Sequence, residues 1–229
     1  MSDTAAPDAE PPAIPAATVV LVRDRDEGLE VLMLHRTSAV AFGGMWVFPG
    51  GRVDPGDRRP DDDGDEPAAR RAAIREAMEE CGLAVDPAGV VALSRWTPPA
   101  GAPKRFATWF FLARVPEGEV VVDGGEILDH RWLSPAEVLE RRDRGEVDLA
   151  PPTWMTLHSL LEATDVADAL ARAEATRPVF HYQTRWRSTA DGAVAMWDGD
   201  AGYATSDPDA VGPRHRLLMQ ATGWRLEHG

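Results

Sequence analysis

A chain of 229 residues with 44% hydrophobic content is long enough for one well-buried core, so a single domain with extensions is expected. The formal charge of -14 and isoelectric point near 4.8 oppose nonspecific attachment to nucleic acid or anionic membrane, since both need a basic surface. Cys81 is the single cysteine and excludes an intramolecular disulfide, no stretch approaches membrane-spanning length, and the first residues lack the basic and apolar run of a secretory signal; a cytoplasmic location is expected.

Residues 1–16, rich in Ala, Pro and acid, read as a disordered tail. Thr18 to Arg23 and Leu29 to His35 are rich in Val and Leu and read as a hairpin about an acidic, Gly-ending turn. Met45 to Phe48 is a short strand feeding Gly50-Gly51, and an acidic loop from Asp54 to Glu66 follows. A helix then carries Arg75 to Leu83, with Pro67 suited to its first turn and Gly82 to its left-handed close. Gly89 to Trp96 and Arg105 to Val115 read as strands, the second bulky enough for a central place in a sheet. Ile127 to Leu133 is a further strand. Ser134-Pro135-Ala136-Glu137 supplies a capping pattern for a helix through about Arg144. Pro151-Pro152-Thr153 breaks the chain before one long helical region, roughly Trp154 to Glu174. Beyond Pro178, alternating stretches at Val179 to Arg187, Ala193 to Trp197 and His215 to Met219 read as β structure. Interleaved strands and helices imply an α/β layered fold. The division is a tail, a domain over 17–175 and a β-rich extension over 176–229 packed on the same domain.

The densest chemistry lies in Arg75 to Leu83. At about 100° per residue, Glu76, Glu79 and Glu80 share one sector and Ile74, Ala77, Met78 and Cys81 the opposite one. Like charges three and four residues apart repel, and a divalent cation would relieve that strain. The same pattern alone also describes a solvated outer face. Cys81 falls on the apolar side and reads as packing.

Together with the double glycine upstream, this run resembles the Nudix box: Gly, five residues, Glu, seven residues, then Arg-Glu-apolar-x-Glu-Glu-x-Gly-apolar. The second half matches from Arg75 to Leu83 without a gap. The first half departs, because the spacing from Gly51 is longer and the first glutamate of the box falls on Pro67; Glu66 beside it is a candidate substitute. The resemblance, covering about Thr18 to Ala163, implies a Nudix-type α/β/α sandwich with a mixed sheet. It implies a Mg2+ or Mn2+ cofactor held by the Gly51 carbonyl, Glu76, Glu79 and Glu80, with Arg75 orienting the carboxylates. Glu126, ahead of Ile127, is the candidate fourth carboxylate, and either it or Glu79 serves as general base. Arg36, Arg52 and Arg105 are candidate diphosphate contacts, though each also reads as an ordinary surface or strand-edge arginine.

Leu34 to Ser38, the Phe48 to Asp54 run followed by Asp57, the lengthened loop and Leu149 to Trp154 are similar to the coenzyme A diphosphatase branch of the peroxisomal type and its bacterial relatives. That branch implies cleavage of the diphosphate bond in a small nucleotide substrate, with coenzyme A or acyl-coenzyme A first. The alternatives are an ADP-ribose or NADH type pyrophosphatase, or a Nudix-fold nucleotide sensor without turnover. The family also includes many homodimers, and no interface is marked in the sequence.

Overall fold

The computed structural model describes residues 12–26, 28–37, 43–102 and 104–229. Residues 1–11 of the expected tail, together with Glu27 and Ser38, lie outside them. The chain runs β1 (Ile14–Arg25), β2 (Gly28–Arg36), β3 (Trp46–Val47), β4 (Gly50–Arg52), α1 (Glu66–Cys81), β5 (Val91–Thr97), β6 (Phe106–Arg114) and β7 (Ile127–Leu133). It continues through α2 (Pro135–Asp143), α3 (Pro151–Ser159), α4 (Val166–Ala175), β8 (His181–Gln183), β9 (Arg185–Thr189), β10 (Gly192–Met196), β11 (His215–Gln220) and β12 (Gly223–His228).

Eight strands form one mixed sheet ordered β3-β2-β1-β6-β5-β8, with β4 also paired to β1 and β7 to β2. The expected hairpin forms as β1 and β2, and β6 takes the central place its bulk suggested, parallel to β1 and antiparallel to β5. Alternation along β1 decides the layers. Val19 and Leu21 face α1 in one core with Leu32, Leu34, Phe111, Ala73 and Ala77. Val20 and Val22 face the opposite layer, in a core with Val138, Trp154, Leu157 and Val166 from the other three helices. The result is a helix/sheet/helix sandwich with an additional antiparallel sheet at the C-terminus.

Three expectations need correction. β1 begins at Ile14, inside the segment read as tail, because Ile14 to Val22 pair continuously with Phe106 to Arg114 and that ladder outweighs a proline-rich composition. The long helix is two, α3 and α4, separated by residues 160–165, where Asp165 caps the second helix by accepting from the Asp168 amide at 2.8 Å. Pro151 and Pro152 open α3 and do not merely precede it, since proline is tolerated in a first turn. The capping pattern at Ser134 forms as read, with the Glu137 amide donating to Ser134 Oγ at 3.2 Å and the Ser134 amide to Glu137 Oε2 at 2.9 Å.

The second sheet is ordered β9-β10-β11-β12. Its Ala195, Trp197, Leu217 and Met219 join the same core as Trp96 and Trp154. Trp96 stacks on Tyr182 at 4.0 Å and meets Trp197 edge-on at 5.6 Å, so rings from both sheets form one aromatic block. Asp200, in the turn after β10, and Arg216 on β11 form a buried two-pronged ion pair, at 2.6 Å and 2.7 Å. Burial pushes the Asp200 carboxyl up, but Arg216 and the amides of His215 and Gly202 outweigh it and hold it at about 2. A lowered folded-state value stabilises above the ordinary carboxylate range and is lost as pH falls through the folded value. Asp200→Ala should therefore cost about 3–5 kcal/mol by stranding the arginine, read by urea unfolding at neutral pH. The difference from the parent should shrink as the pH approaches 2.

Candidate functional site

Helix α1 is rich in alanine on the side that meets the sheet, with Ala69, Ala72, Ala73 and Ala77 all buried. Small side chains let its backbone come close to β1 and β4. The carboxylates ride in with it. Glu80 is 5% exposed, whereas Met78, expected on the packing side, is 55% exposed. Ala77 and Cys81 are fully buried and Ile74 packs against the same core, as read, but the buried face is centred near Glu80 and takes in part of the charged side, with Glu76 half-sheltered beside it and Glu79 outward. Gly82 closes the helix in the left-handed region at φ 70°, its amide donating to the Met78 carbonyl at 3.1 Å.

Glu80 Oε2 accepts from the Gly50 amide at 2.8 Å in a buried contact between α1 and β4. A Cβ on Gly50 would run into Thr18 Oγ1 and the Ala17 carbonyl, so only glycine fits there, and one on Gly51 would displace the Glu76 carboxylate from its present place. On its other side Glu80 faces Arg36 at 3.5 Å, and Arg36 also pairs with Glu126. Glu126 is placed by its loop: Asp123 accepts from the amides of Glu126 and Ile127 at 3.0 and 2.9 Å, and the Glu126 carbonyl accepts from the Thr37 amide at 2.8 Å. Burial pushes Glu80 up to about 7; the Gly50 amide and Arg36 pull it down, and Glu76 and Glu126 add repulsion. Burial likewise raises Glu76, against the pull of Arg75.

Arg75 donates to Glu76 at 2.9 Å, to Glu79 at 2.8 Å and to the Arg52 carbonyl at 2.9 Å. Its acidic anchor is Asp57, reached at 3.0 and 3.3 Å through two nitrogens and itself 6% exposed. That contact, more than any other, raises the guanidinium pKa. Glu66 lies elsewhere, paired with Arg70 at 2.7 Å. The acid that anchors Arg75 is therefore Asp57, which the sequence singled out only for its similarity to the coenzyme A diphosphatase branch, and not Glu66. Its signal was Asp54-Pro55-Gly56-Asp57, a turn in which the Asp57 side chain accepts from the Asp54 amide at 2.9 Å.

These groups border a cleft of about 1100 Å3 lined by Arg36, Arg52, Glu76, Glu79 and Glu126 among others. Arg105 is not among the described residues lining it; its carbonyl accepts from the Ile14 amide at 2.7 Å. As they stand, the described residues include no group of three His, Cys, Asp or Glu side chains drawn together closely enough to enclose a metal ion. Arg75 and Arg36 hold the carboxylates instead. The donor set still suits a hard divalent cation, since burial drives Glu80 toward protonation, Glu76 and Glu126 add repulsion, and an oxygen-seeking cation would offset both.

The chain matches the NUDIX domain family over residues 12–154 and belongs to that family. It is 28% identical over 173 residues to "Putative nudix hydrolase 7" of Caenorhabditis elegans, covering 59% of this chain and 57% of that protein. It is 29% identical over 114 residues to "Putative 8-oxo-dGTP diphosphatase" of Bacillus subtilis (strain 168), covering 49% of this chain and 63% of that protein. The chain thus spans about three fifths of these curated relatives. A solved NUDIX hydrolase from Alicyclobacillus acidocaldarius superposes with a TM-score of 0.64 at 25% identity, covering 71% of this chain and 97% of the other.

Loss of the acidic anchor should be felt as stability. Asp57→Ala should destabilise the fold by about 2–4 kcal/mol, because Arg75 keeps its half-buried charge without its principal partner. Glu66→Ala should stay within about 1 kcal/mol of the parent. Parallel urea titrations of the two variants check the assignment, and equal losses would contradict it.

Proposed function

We propose that the protein is a metal-dependent hydrolase that cleaves the diphosphate bond of a nucleoside diphosphate linked to a second moiety. The observation that carries this reading is the buried Glu80 to Gly50 contact, which holds α1 against the glycine edge so that Glu76, Glu79, Gly50 and Gly51 all line one large cleft. The residues that would hold Mg2+ or Mn2+ are Glu76, Glu79 and Glu80 with the Gly51 carbonyl. When bound, such an ion supplies charge to a phosphoryl oxygen and acidity to a water.

The chain's own groups would do the rest. Arg36 and Arg52 offer planar donors to phosphate oxygens at the cleft wall. Arg75, anchored on Asp57, would fix the rotamers of Glu76 and Glu79. Glu79 and Glu126 both border the cleft with side chains more than half exposed, so each is available to take the proton of an attacking water. The acidic surface elsewhere would then matter little to an anionic substrate, which meets arginine first.

Coenzyme A or an acyl-coenzyme A stands first among substrates. The residues similar to that branch, Arg36, Phe48, Gly50 to Arg52, Asp54 and Ala150 to Thr153, supply much of the lining. ADP-ribose, NADH and other nucleoside diphosphate derivatives would use the same machinery. A sensor without turnover is favoured by one observation, the engagement of all four carboxylates by Arg36 and Arg75.

Incubation with Mg2+ or Mn2+ and a panel of coenzyme A, ADP-ribose, NADH and sugar nucleotides should release a nucleoside monophosphate, or adenosine 3',5'-bisphosphate where coenzyme A is the substrate. Glu80→Gln should lower that rate roughly a hundredfold or more. Binding without turnover across the panel favours the sensor, and an unimpaired Glu80→Gln protein contradicts the site. Comparing Glu79→Gln with Glu126→Gln across pH should single out the base, since only its loss removes the acidic limb of the rate profile.

A further inference from the structure

The family match ends at residue 154, yet the cleft continues past it: Thr184, Trp186 and Ala195 of the C-terminal sheet form part of its wall. Trp186 on β9 pairs directly with Ala195 on β10, so the two side chains share a face of the sheet. Its neighbours face the other way. The Arg185 guanidinium lies 5.5 Å from the Tyr203 ring centre, and Arg187 Nε donates to the Ser206 carbonyl at 3.0 Å. Alanine opposite leaves the indole uncovered. Trp186 is 40% exposed and is the only aromatic among the large hydrophobic side chains that the described residues leave exposed.

A lone exposed hydrophobic is ordinary, and position sets this one apart. The strand that carries it is held at the cleft by three contacts. The Thr184 amide donates to the Thr97 carbonyl at 3.0 Å, Trp197 Nε1 donates to Thr184 Oγ1 at 3.1 Å, and Tyr182 stacks on Trp96. Pro98 and Pro99, immediately after Thr97, line the same cleft with flat apolar rings. The carboxylates and arginines of the lining come from β2, β4, α1 and the segments after β4 and before β7, and among the described residues the 98–106 segment adds one charge, Lys104. A long ligand with an anionic middle and a planar end matches that division.

We propose that the arm of the cleft walled by Trp186 and by Pro98 and Pro99 seats the base of the nucleotide, with the indole of Trp186 stacked on it. The C-terminal sheet is then a specificity element for the site and not only a packing layer. This rests on reading the cleft as a nucleotide site, and it stands apart from whether the bound nucleotide is hydrolysed.

The test is calorimetric titration in Mn2+ with two probes: adenosine 5'-(α,β-methylene)diphosphate, whose carbon bridge resists cleavage, and methylenediphosphonate, which lacks the nucleoside. The parent protein should bind the nucleotide more tightly than the bare diphosphonate. Trp186→Ala and Trp186→Leu should weaken the nucleotide roughly tenfold, the loss of one base–aromatic stack, and leave the diphosphonate within about twofold. Trp186→Phe should retain most of the affinity. Unchanged nucleotide binding in both the alanine and leucine proteins, equal loss of both probes, or equal binding of both by the parent would overturn the proposal. A parent that binds the nucleotide selectively but hydrolyses no substrate would overturn the hydrolase reading alone.

Discussion

The amide of Gly50 and the carboxylate of Glu80 meet where water is excluded, and the rest of the site depends on that contact. A carboxylate in such a place costs several kcal/mol unless it is paired and hydrogen-bonded. Here one oxygen takes the Gly50 amide and the other faces Arg36. The alanine side of α1 makes the approach close enough, and the absence of side chains at Gly50 and Gly51 leaves room for Thr18 and Glu76. Each requirement is local, yet together they fix α1 against β4 and set the floor of the cleft. The compensation is incomplete, because Glu76 and Glu126 add repulsion to burial and Glu80 titrates near neutrality. That uncompensated burial of charge, with the repulsion added to it, is the physical reason to expect a cation there.

Charge is handled by placement and not by total. The chain is strongly acidic, but Arg36, Arg52 and Arg75 are drawn to the cleft, each by a different device. Arg36 closes β2 and bridges two carboxylates. Arg75 sits on the helix and is tethered by Asp57, while Arg52 lends its carbonyl to Arg75 and leaves its side chain at the wall. The second sheet completes the arrangement from the far side. Its Trp197 and Leu217 share a core with the central sheet, so Thr184 and Trp186 are held at the cleft rim.

Much of this was legible in the residues. Two-residue alternation announced the strands, the Ser134 box and Gly82 announced helix ends, and the carboxylate spacing announced α1 as the chemical helix. What escaped depended on partners distant in sequence. The burial of Glu80 follows from a row of alanines meeting β1 and β4, and helical periodicity alone cannot say which side the sheet will cover. Asp57 was noted, but its pairing with Arg75 was hidden because it is set by folding a loop back onto a residue eighteen positions on. The gap between α3 and α4 contains no proline and only polar hints, and β12 was passed over although Trp224, Arg225, Leu226 and Glu227 alternate as a half-buried strand does. Arg105 stands outside the described lining, and a strand-edge arginine and a phosphate contact look alike until the cleft is located.

The central claim is that the acids of α1 gather at the Gly50-Gly51 edge to hold divalent cations. Crystals soaked in Mn2+ and measured at the manganese absorption edge test it most directly. The account predicts anomalous density beside Glu76 and Glu80, with Arg36 or Arg75 swung off the carboxylates it now holds. An open cleft without such density, and with both arginines still in place, would contradict it.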